Sequence, residues 1–158
     1  MVALKGMAGA TNNNQVIDNA IGSGGISETG MPGGGKRVLV VEDEVALREA
    51  LRIKLEASGF EVMVAENGRM GAEIALEQRP DLILLDLVMP EVDGLEMLKR
   101  IRLDVWGEKA EVIILTNVSD SEKVGECLAL NALNYFVKSD SSLDKLVDKV
   151  KDVLNGVG

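Results

Sequence analysis

The sequence predicts an α/β fold, a doubly wound sheet of five parallel strands with helices on both faces. From Lys36 onward, short apolar runs alternate with longer segments in which apolar residues recur at helical spacing. Three of the runs, 38–41, 82–85 and 112–115, consist of four consecutive Val, Leu or Ile residues. This pattern is typical of strands that are buried on both faces. Parallel strands joined by right-handed crossover helices give this architecture.

Five strands and five helices are predicted to alternate along the chain. The strands are predicted at 37–42, 60–65, 81–86, 111–116 and 134–138. The helices are predicted at 44–57, 68–79, 93–104, 119–131 and 142–155. Ser119 and Glu122 stand at the ends of a capping box that opens the fourth helix, and Asp93 suits the N-cap of the third. Gly59 and Gly107 fall where helices are expected to stop.

The first 35 residues differ in composition from the rest of the chain. They contain nine of the 17 glycines and only three charged residues. Ordering a glycine-rich backbone costs much conformational entropy, and few apolar side chains are present here to offset that cost. We therefore expect residues 1–35 to be a flexible Gly/Asn-rich leader or a tail of artificial origin. The folded domain is predicted to span residues 36–156.

The composition excludes several classes of chemistry and partner. The chain has no histidine, which excludes a histidine base, nucleophile or metal ligand. Its single cysteine, Cys127, excludes an intramolecular disulfide, fits a cytoplasmic location and is expected to be a small core residue. The formal charge of −9 repels phosphate backbones, and no apolar stretch is long enough for a membrane span. We therefore expect no nucleic-acid partner and no membrane.

Polar residues stand at the carboxyl ends of four predicted strands. Glu42 and Asp43 end the first strand, and Asp86 ends the third. Thr116 ends the fourth strand and Lys138 ends the fifth. In a doubly wound sheet this edge is where ligands bind. Crowded carboxylates favour a divalent cation, and oxygen-only ligands favour Mg²⁺. A carboxylate beside Mg²⁺ and a lysine can attack a phosphoryl group to form an acyl phosphate.

Four motifs stand in order along residues 36–155. They are Val40-Val41-Glu42-Asp43-Glu44, the segment LDLVMPEVDG at 85–94, Leu115-Thr116, and Tyr135-Phe136-Val137-Lys138. In these motifs and in their spacing the chain resembles the receiver domain of two-component response regulators. The resemblance implies a flavodoxin-like strand order of 2-1-3-4-5. Because the chain stops just after the fifth helix, it looks like a stand-alone receiver similar to the chemotaxis regulators.

The resemblance also implies a role for each matched residue at the strand ends. Asp86 would be the phosphoacceptor, and Lys138 would pair with an oxygen of the phosphoryl group. Mg²⁺ would be bound by Glu42, Asp43, Asp86 and the backbone carbonyl of Val88. The protein would then catalyse only its own phosphorylation and dephosphorylation, and we do not expect an enzyme that acts on a separate substrate.

The same resemblance implies a switch and a set of protein partners. Thr116 would move its hydroxyl to the phosphoryl group, and Tyr135 would swing inward when Thr116 moves. The donor would be a sensor histidine kinase or a histidine phosphotransfer protein, because this chain has no histidine of its own. The output would be an unidentified protein bound at the face of the fourth helix, fifth strand and fifth helix. The sequence leaves open whether phosphorylation also leads to a homodimer.

Two departures from the family pattern leave an alternative open. Ser139 stands where the family usually has proline, so the Lys138–Ser139 bond is either trans or a strained cis bond. Asn117 is larger than the usual small residue and narrows access to Asp86. These departures are the reason for an alternative hypothesis, in which the chain is a degenerate receiver that acts as a phosphorylation-independent interaction module. A Mg²⁺-dependent phosphohydrolase is disfavoured, because Val88 stands where such an enzyme needs its general acid.

Overall fold

Five parallel strands form the central sheet, in the order β2-β1-β3-β4-β5. The computed structural model describes residues 35–117, 121–139 and 142–157. The strands are β1 (Arg37–Val41), β2 (Glu61–Ala65), β3 (Leu82–Asp86), β4 (Val112–Thr116) and β5 (Asn134–Val137). The helices are α1 (Val45–Ala57), α2 (Gly68–Gln78), α3 (Gly94–Ile101), α4 (Ser121–Ala129) and α5 (Leu143–Leu154). The predicted fold class and the predicted strand order are both confirmed.

The three inner strands are buried because helices cover the sheet on both sides. β3 and β4 are buried at every residue, and β1 is buried at every residue after Arg37. The edge strands β2 and β5 are more exposed and carry mixed sequences. This difference explains why the inner strands are the runs of four consecutive Val, Leu or Ile residues, whereas the apolar run of β2 includes Met63 and Ala65.

The side chains of each strand alternate between two apolar layers. One layer joins Val38, Val40 and their neighbours to Leu51 and Leu55 of α1 and to apolar residues of α5. The other joins Leu39, Val41 and their neighbours to α2, α3 and α4. Cys127 of α4 is fully buried in the second layer, as predicted. The second layer also includes Leu87 and Met89 of the loop after β3, so its apolar packing extends beyond Asp86.

The connection between α3 and β4 differs from the prediction. α3 ends at Ile101, and a 3₁₀ turn, Gly107–Lys109, follows it. The prediction that Gly107 stops the third helix is therefore wrong. Gly107 is required for a different reason: a Cβ atom there would lie 1.8 Å from the carbonyl oxygen of Ile101. Arg102 is the C-cap of α3, and its guanidinium donates to the carbonyls of Leu130 (2.8 Å) and Ala110 (3.0 Å).

Several sequence predictions lie outside the described residues. They concern the leader, residues 1–34, and Ser119 of the predicted capping box. Within the described residues no peptide bond is cis, so the Lys138–Ser139 bond is trans. None of the described helices combines the length and the apolar character needed to cross a membrane.

Candidate functional site

The carboxyl edge of the sheet gathers the predicted site residues. Asp86 is the last residue of β3 and Thr116 the last of β4, while Glu42 and Lys138 directly follow β1 and β5. Backbone hydrogen bonds hold the residues that follow the strands, from Glu42 N to Ala65 O (3.0 Å) and from Lys138 N to Thr116 O (2.8 Å). Parallel strands thus bring residues that are far apart in the sequence to a single point.

Lys138 lies between two buried carboxylates. Its Nζ atom is 3.1 Å from Glu42 Oε1 and 3.3 Å from Asp86 Oδ1. The side chain of Glu42 is 1% exposed and that of Asp86 is 5% exposed. A single ammonium group therefore faces two carboxylates in a region with little water to screen them.

The pKa values of these groups reflect their burial and their mutual interaction. Burial, together with the charge of Asp86, raises the pKa of Glu42 to about 7. Burial also raises the pKa of Asp86, although Lys138 opposes this change. Burial alone would lower the pKa of Lys138, but the attraction of Asp86 and Glu42 outweighs it and the pKa is raised. Both carboxyl groups are therefore harder to ionise than free carboxyl groups, and the ammonium group of Lys138 is harder to deprotonate.

Three carboxylates in this cluster could hold a divalent cation. One ligand oxygen from each of Glu42, Asp43 and Asp86 lies within 4.8 Å of the others. Glu42 Oε1 is buried and accepts no hydrogen bond of regular geometry from the described residues. Asp43 is exposed, so water can complete the coordination of an ion. An oxygen-only donor set with access to water fits Mg²⁺.

The loop between β3 and α3 is held closely against Asp86. The amide of Val88 donates to Asp86 Oδ1 (3.3 Å), and the amide of Gly94 donates to Leu87 O (3.1 Å). A Cβ atom at position 94 would lie 2.2 Å from the carbonyl oxygen of Asp86, so only glycine fits there. Asp93 caps α3 by accepting from Glu96 N (2.9 Å), as predicted. These contacts fix the direction of the chain directly after Asp86.

Arg48, on α1, is a site residue that the sequence analysis missed. Its Nη1 atom donates to the backbone carbonyl oxygens of Glu42 (2.8 Å) and Asp43 (3.3 Å). A signal was present in the sequence, since a basic residue follows the acidic pair by little more than one helical turn. Composition alone does not distinguish such a residue from an ordinary surface cation.

The two predicted switch residues differ in exposure. Thr116 is buried beside Asp86, and its hydroxyl donates to Asn117 O (3.0 Å). Tyr135 lies on the edge strand β5 and is 51% exposed. Tyr135 therefore occupies an outward position.

Access to Asp86 is narrow, because only a small part of its side chain is exposed. Val88 and Asn117, which follow the ends of β3 and β4, are exposed. A cleft of about 290 Å³ opens beside the cluster. It is lined by Asp43, Val45, Arg48, Glu66, Asn67, Pro90 and Glu91. The cleft borders Asp43, and Asp86 is not part of its lining.

The fold and the site together define a CheY-like α/β domain with an acidic pocket. The family model described as the response regulator receiver domain matches residues 38–151. The chain therefore belongs to the response regulator receiver domain family.

Curated relatives agree with this assignment. Over 119 residues the chain is 34% identical to Sporulation initiation phosphotransferase F of Bacillus subtilis, with 75% of this chain and 94% of the relative covered. It is 33% identical over 124 residues to Phosphate regulon transcriptional regulatory protein PhoB of Pseudomonas aeruginosa. That match covers 78% of this chain and 54% of the relative, so the chain spans about half the length of this regulator.

Solved structures show the same fold. The chemotaxis protein CheY4 of Vibrio cholerae aligns with a TM-score of 0.70 and 28% identity, over 75% of this chain and 98% of that one. A CheY-like receiver domain protein of Methanospirillum hungatei aligns with a TM-score of 0.71 and 25% identity, over 78% of this chain and 96% of that one. The chain is thus similar to receivers over nearly their full length.

Proposed function

We propose that this chain receives a phosphoryl group on Asp86 within a two-component phosphorelay, and that this event changes its binding to another protein. The observation that carries the proposal is the position of Lys138 Nζ between Glu42 and Asp86, beside the exposed carboxylate of Asp43. This arrangement provides an attacking oxygen, a cation for the phosphoryl group and oxygen ligands for a metal.

The two oxygens of Asp86 have different surroundings. Oδ1 is engaged by Lys138 Nζ and by the amide of Val88, both at 3.3 Å. We assign the attack to Oδ2, the oxygen that these two groups leave out. A bond forms between Oδ2 and phosphorus while the bond from phosphorus to the donor imidazole nitrogen breaks, and the nitrogen keeps the electron pair. Lys138 then pairs with an oxygen of the new acyl phosphate.

The metal fits this chemistry as an aid to charge neutralisation. Glu42, Asp43 and Asp86 would hold Mg²⁺, together with the backbone carbonyl of Val88. Bound Mg²⁺ would stabilise negative charge on the transferring oxygens. Hydrolysis of the acyl phosphate returns the resting aspartate, so the chain acts only on its own phosphoryl group.

The proposed switch connects the acyl phosphate to the surface of the domain. Thr116, buried beside Asp86, turns its hydroxyl from Asn117 O toward the phosphoryl group. Tyr135 then moves inward from its exposed position on β5. A phosphoryl group that binds better to this arrangement shifts the population toward it.

The proposed partners follow from composition and from exposed apolar residues. A chain without histidine needs a separate phosphohistidine donor, a sensor histidine kinase or a histidine phosphotransfer protein. We place the output partner on the face of α4, β5 and α5, because Leu128, Leu133 and Tyr135 are exposed there. A second copy of this chain could bind the same face on phosphorylation, which would give a homodimer as the output. The cytoplasmic location stays a prediction.

Titration with beryllofluoride in the presence of Mg²⁺ tests the proposal, because this anion imitates the acyl phosphate. We expect saturable binding with shifts in the NMR signals of Thr116 and Tyr135. Asp86→Asn is expected to lose both effects and to keep the fold. The absence of saturable binding would favour the degenerate receiver, and turnover of a simple phosphate monoester would favour the phosphohydrolase.

A further inference from the structure

Arg48 holds the backbone of two proposed metal ligands. Its Nη1 atom lies 2.8 Å from Glu42 O and 3.3 Å from Asp43 O. Both carbonyls lie beyond Val41, the last residue of β1, and among the described residues no backbone amide donates to them. The guanidinium therefore supplies hydrogen bonds that the strand ladder and the helix do not.

The segment between β1 and α1 has few other restraints. Glu44 is the N-cap of α1, and its side chain makes no capping hydrogen bond. Its amide donates to Glu42 Oε2 (3.2 Å), which fixes the carboxylate relative to the loop but not the loop relative to the helix. Arg48 makes that second connection, because its side chain starts from α1 and ends on the loop carbonyls.

We propose that Arg48 is a positioning residue for the Mg²⁺ site. The inference rests on the proposed function, because it concerns the same metal. By holding the carbonyls of Glu42 and Asp43, Arg48 sets the direction in which both side chains leave the backbone. It acts through the backbone and does not contact the ion. Groups that orient metal ligands in this way typically change metal affinity by about 10- to 100-fold.

The charge of Arg48 makes the proposal easy to test, because two effects have opposite signs. A guanidinium that lines the same cleft as Asp43 repels a divalent cation. If Arg48 acted only through its charge, its removal would tighten Mg²⁺ binding. If Arg48 positions the ligands, its removal weakens binding in spite of the lost repulsion.

The experiment is a calorimetric titration of the full chain with Mg²⁺ at about pH 8. Glu42 is ionised at this pH, because pH 8 lies above even its raised pKa of about 7. For Arg48→Met we expect a Kd about 10-fold higher than in the wild type. Arg52→Met is the control, because Arg52 lies on the same helix and pairs with Glu49 (2.8 Å) and Glu56 (2.6 Å), away from the site. We expect this control to keep the wild-type Kd.

Arg48→Lys keeps the charge and a donor at the end of a similar stem, so we expect it to recover part of the lost affinity. It also keeps the test valid if Arg48→Met does not fold. An unchanged or lower Kd in Arg48→Met would overturn the inference. If Arg48→Met does not fold, an unchanged or lower Kd in Arg48→Lys would overturn it. Failure of the wild type itself to bind Mg²⁺ would overturn the proposed function as well.

Labelling by acetyl phosphate gives a second readout. For Arg48→Met we expect the Mg²⁺ concentration at half-maximal labelling to rise, while the labelling rate at saturating Mg²⁺ stays close to that of the wild type. A fall in the saturated rate with an unchanged Mg²⁺ dependence would contradict a positioning role.

Discussion

The interior of the sheet and its carboxyl edge are buried to a similar degree, yet burial has opposite consequences in the two regions. β3 contains both cases, since Leu82 to Leu85 are fully buried and Asp86 is 3% exposed. Each buried leucine stabilises the fold by about 1.5–3 kcal/mol. The buried aspartate loses hydration instead, and its pKa is raised. The site therefore occupies core positions where burial costs stability, and Lys138 offsets part of that cost.

The largest expected effect lies in the interior. Leu84→Ala leaves a cavity between β3 and the layer of α1 and α5, and we expect a loss of about 2–5 kcal/mol in the free energy of unfolding. Leu133→Ala makes the same chemical change at a position that is 66% exposed, and we expect less than about 0.5 kcal/mol. Urea denaturation measures both. Equal losses in the two variants would contradict the proposed difference in packing.

At the carboxyl edge of the sheet we expect a substitution to raise the free energy of unfolding. Asp86→Asn removes one of two carboxylates that share Lys138, so we expect the metal-free protein to gain about 1–2 kcal/mol. Urea denaturation without Mg²⁺ measures this gain. Asp81→Asn, at an exposed position directly before the same strand, is the control and is expected to give no gain. A clear loss of stability in Asp86→Asn would show that the carboxylate stabilises the fold.

The pH dependence of stability separates the two regions without mutation. The folded state raises the pKa of Glu42 from its ordinary value of 4.5 to about 7, so it holds this proton more tightly than the unfolded chain does. The stability of the metal-free protein is therefore expected to fall as the pH rises from about 5 to about 7, by about 2 kcal/mol. Glu42→Gln should reduce this slope to the part that the raised pKa of Asp86 contributes. A wild-type slope of the opposite sign would contradict the account.

The affinity for Mg²⁺ is expected to rise with pH, whereas the stability of the metal-free protein falls, because protons and Mg²⁺ compete for Glu42. We expect the Kd for Mg²⁺ to fall as the pH rises toward about 7 and to level off above it. Calorimetric titration across this range measures the change. A Kd that does not depend on pH would exclude Glu42 from the ligand set, while leaving Asp43 and Asp86 in place.

The smallest effect concerns the backbone of the loop that follows Asp86. Glu91 has a φ of 64°, a left-handed conformation that is unfavourable for a residue with a Cβ atom. Glu91→Gly should relieve this strain and stabilise the protein by about 0.5 kcal/mol, after the entropy cost of glycine in the unfolded chain. Arg79→Gly, with a φ of 49° after α2, is expected to give a similar gain, because its backbone has the same left-handed conformation. A loss of stability in Glu91→Gly would show that its backbone conformation is not strained.

The sequence predicted the interior well because its signals are local. Four consecutive Val, Leu or Ile residues identify a strand buried on both faces, and this holds for β3 and β4 at every such position. The polar residues at the strand ends were also visible, because the topology of a parallel sheet brings them to one edge. The strand order was predicted only from the family resemblance, because apolar runs do not show which strands pair with each other.

Features that depend on side-chain geometry were not predictable from the pattern. The contact of Arg48 with two carbonyls and the spread of Arg102 over the loop carbonyls both depend on where a long side chain ends. The degree to which Asp86 is buried is also a property of the assembled layers and not of its neighbours in the sequence.

The central claim is that Asp86 accepts a phosphoryl group with the help of Mg²⁺, and the mass of the intact protein after incubation with acetyl phosphate tests it most directly. We predict one added phosphoryl group on the wild type with Mg²⁺, and none after the metal is chelated. We predict none on Asp86→Asn, while Asp93→Asn, which keeps a capping residue at the start of α3, still gains one. A phosphoryl group on Asp86→Asn, or labelling that ignores Mg²⁺, would contradict the account.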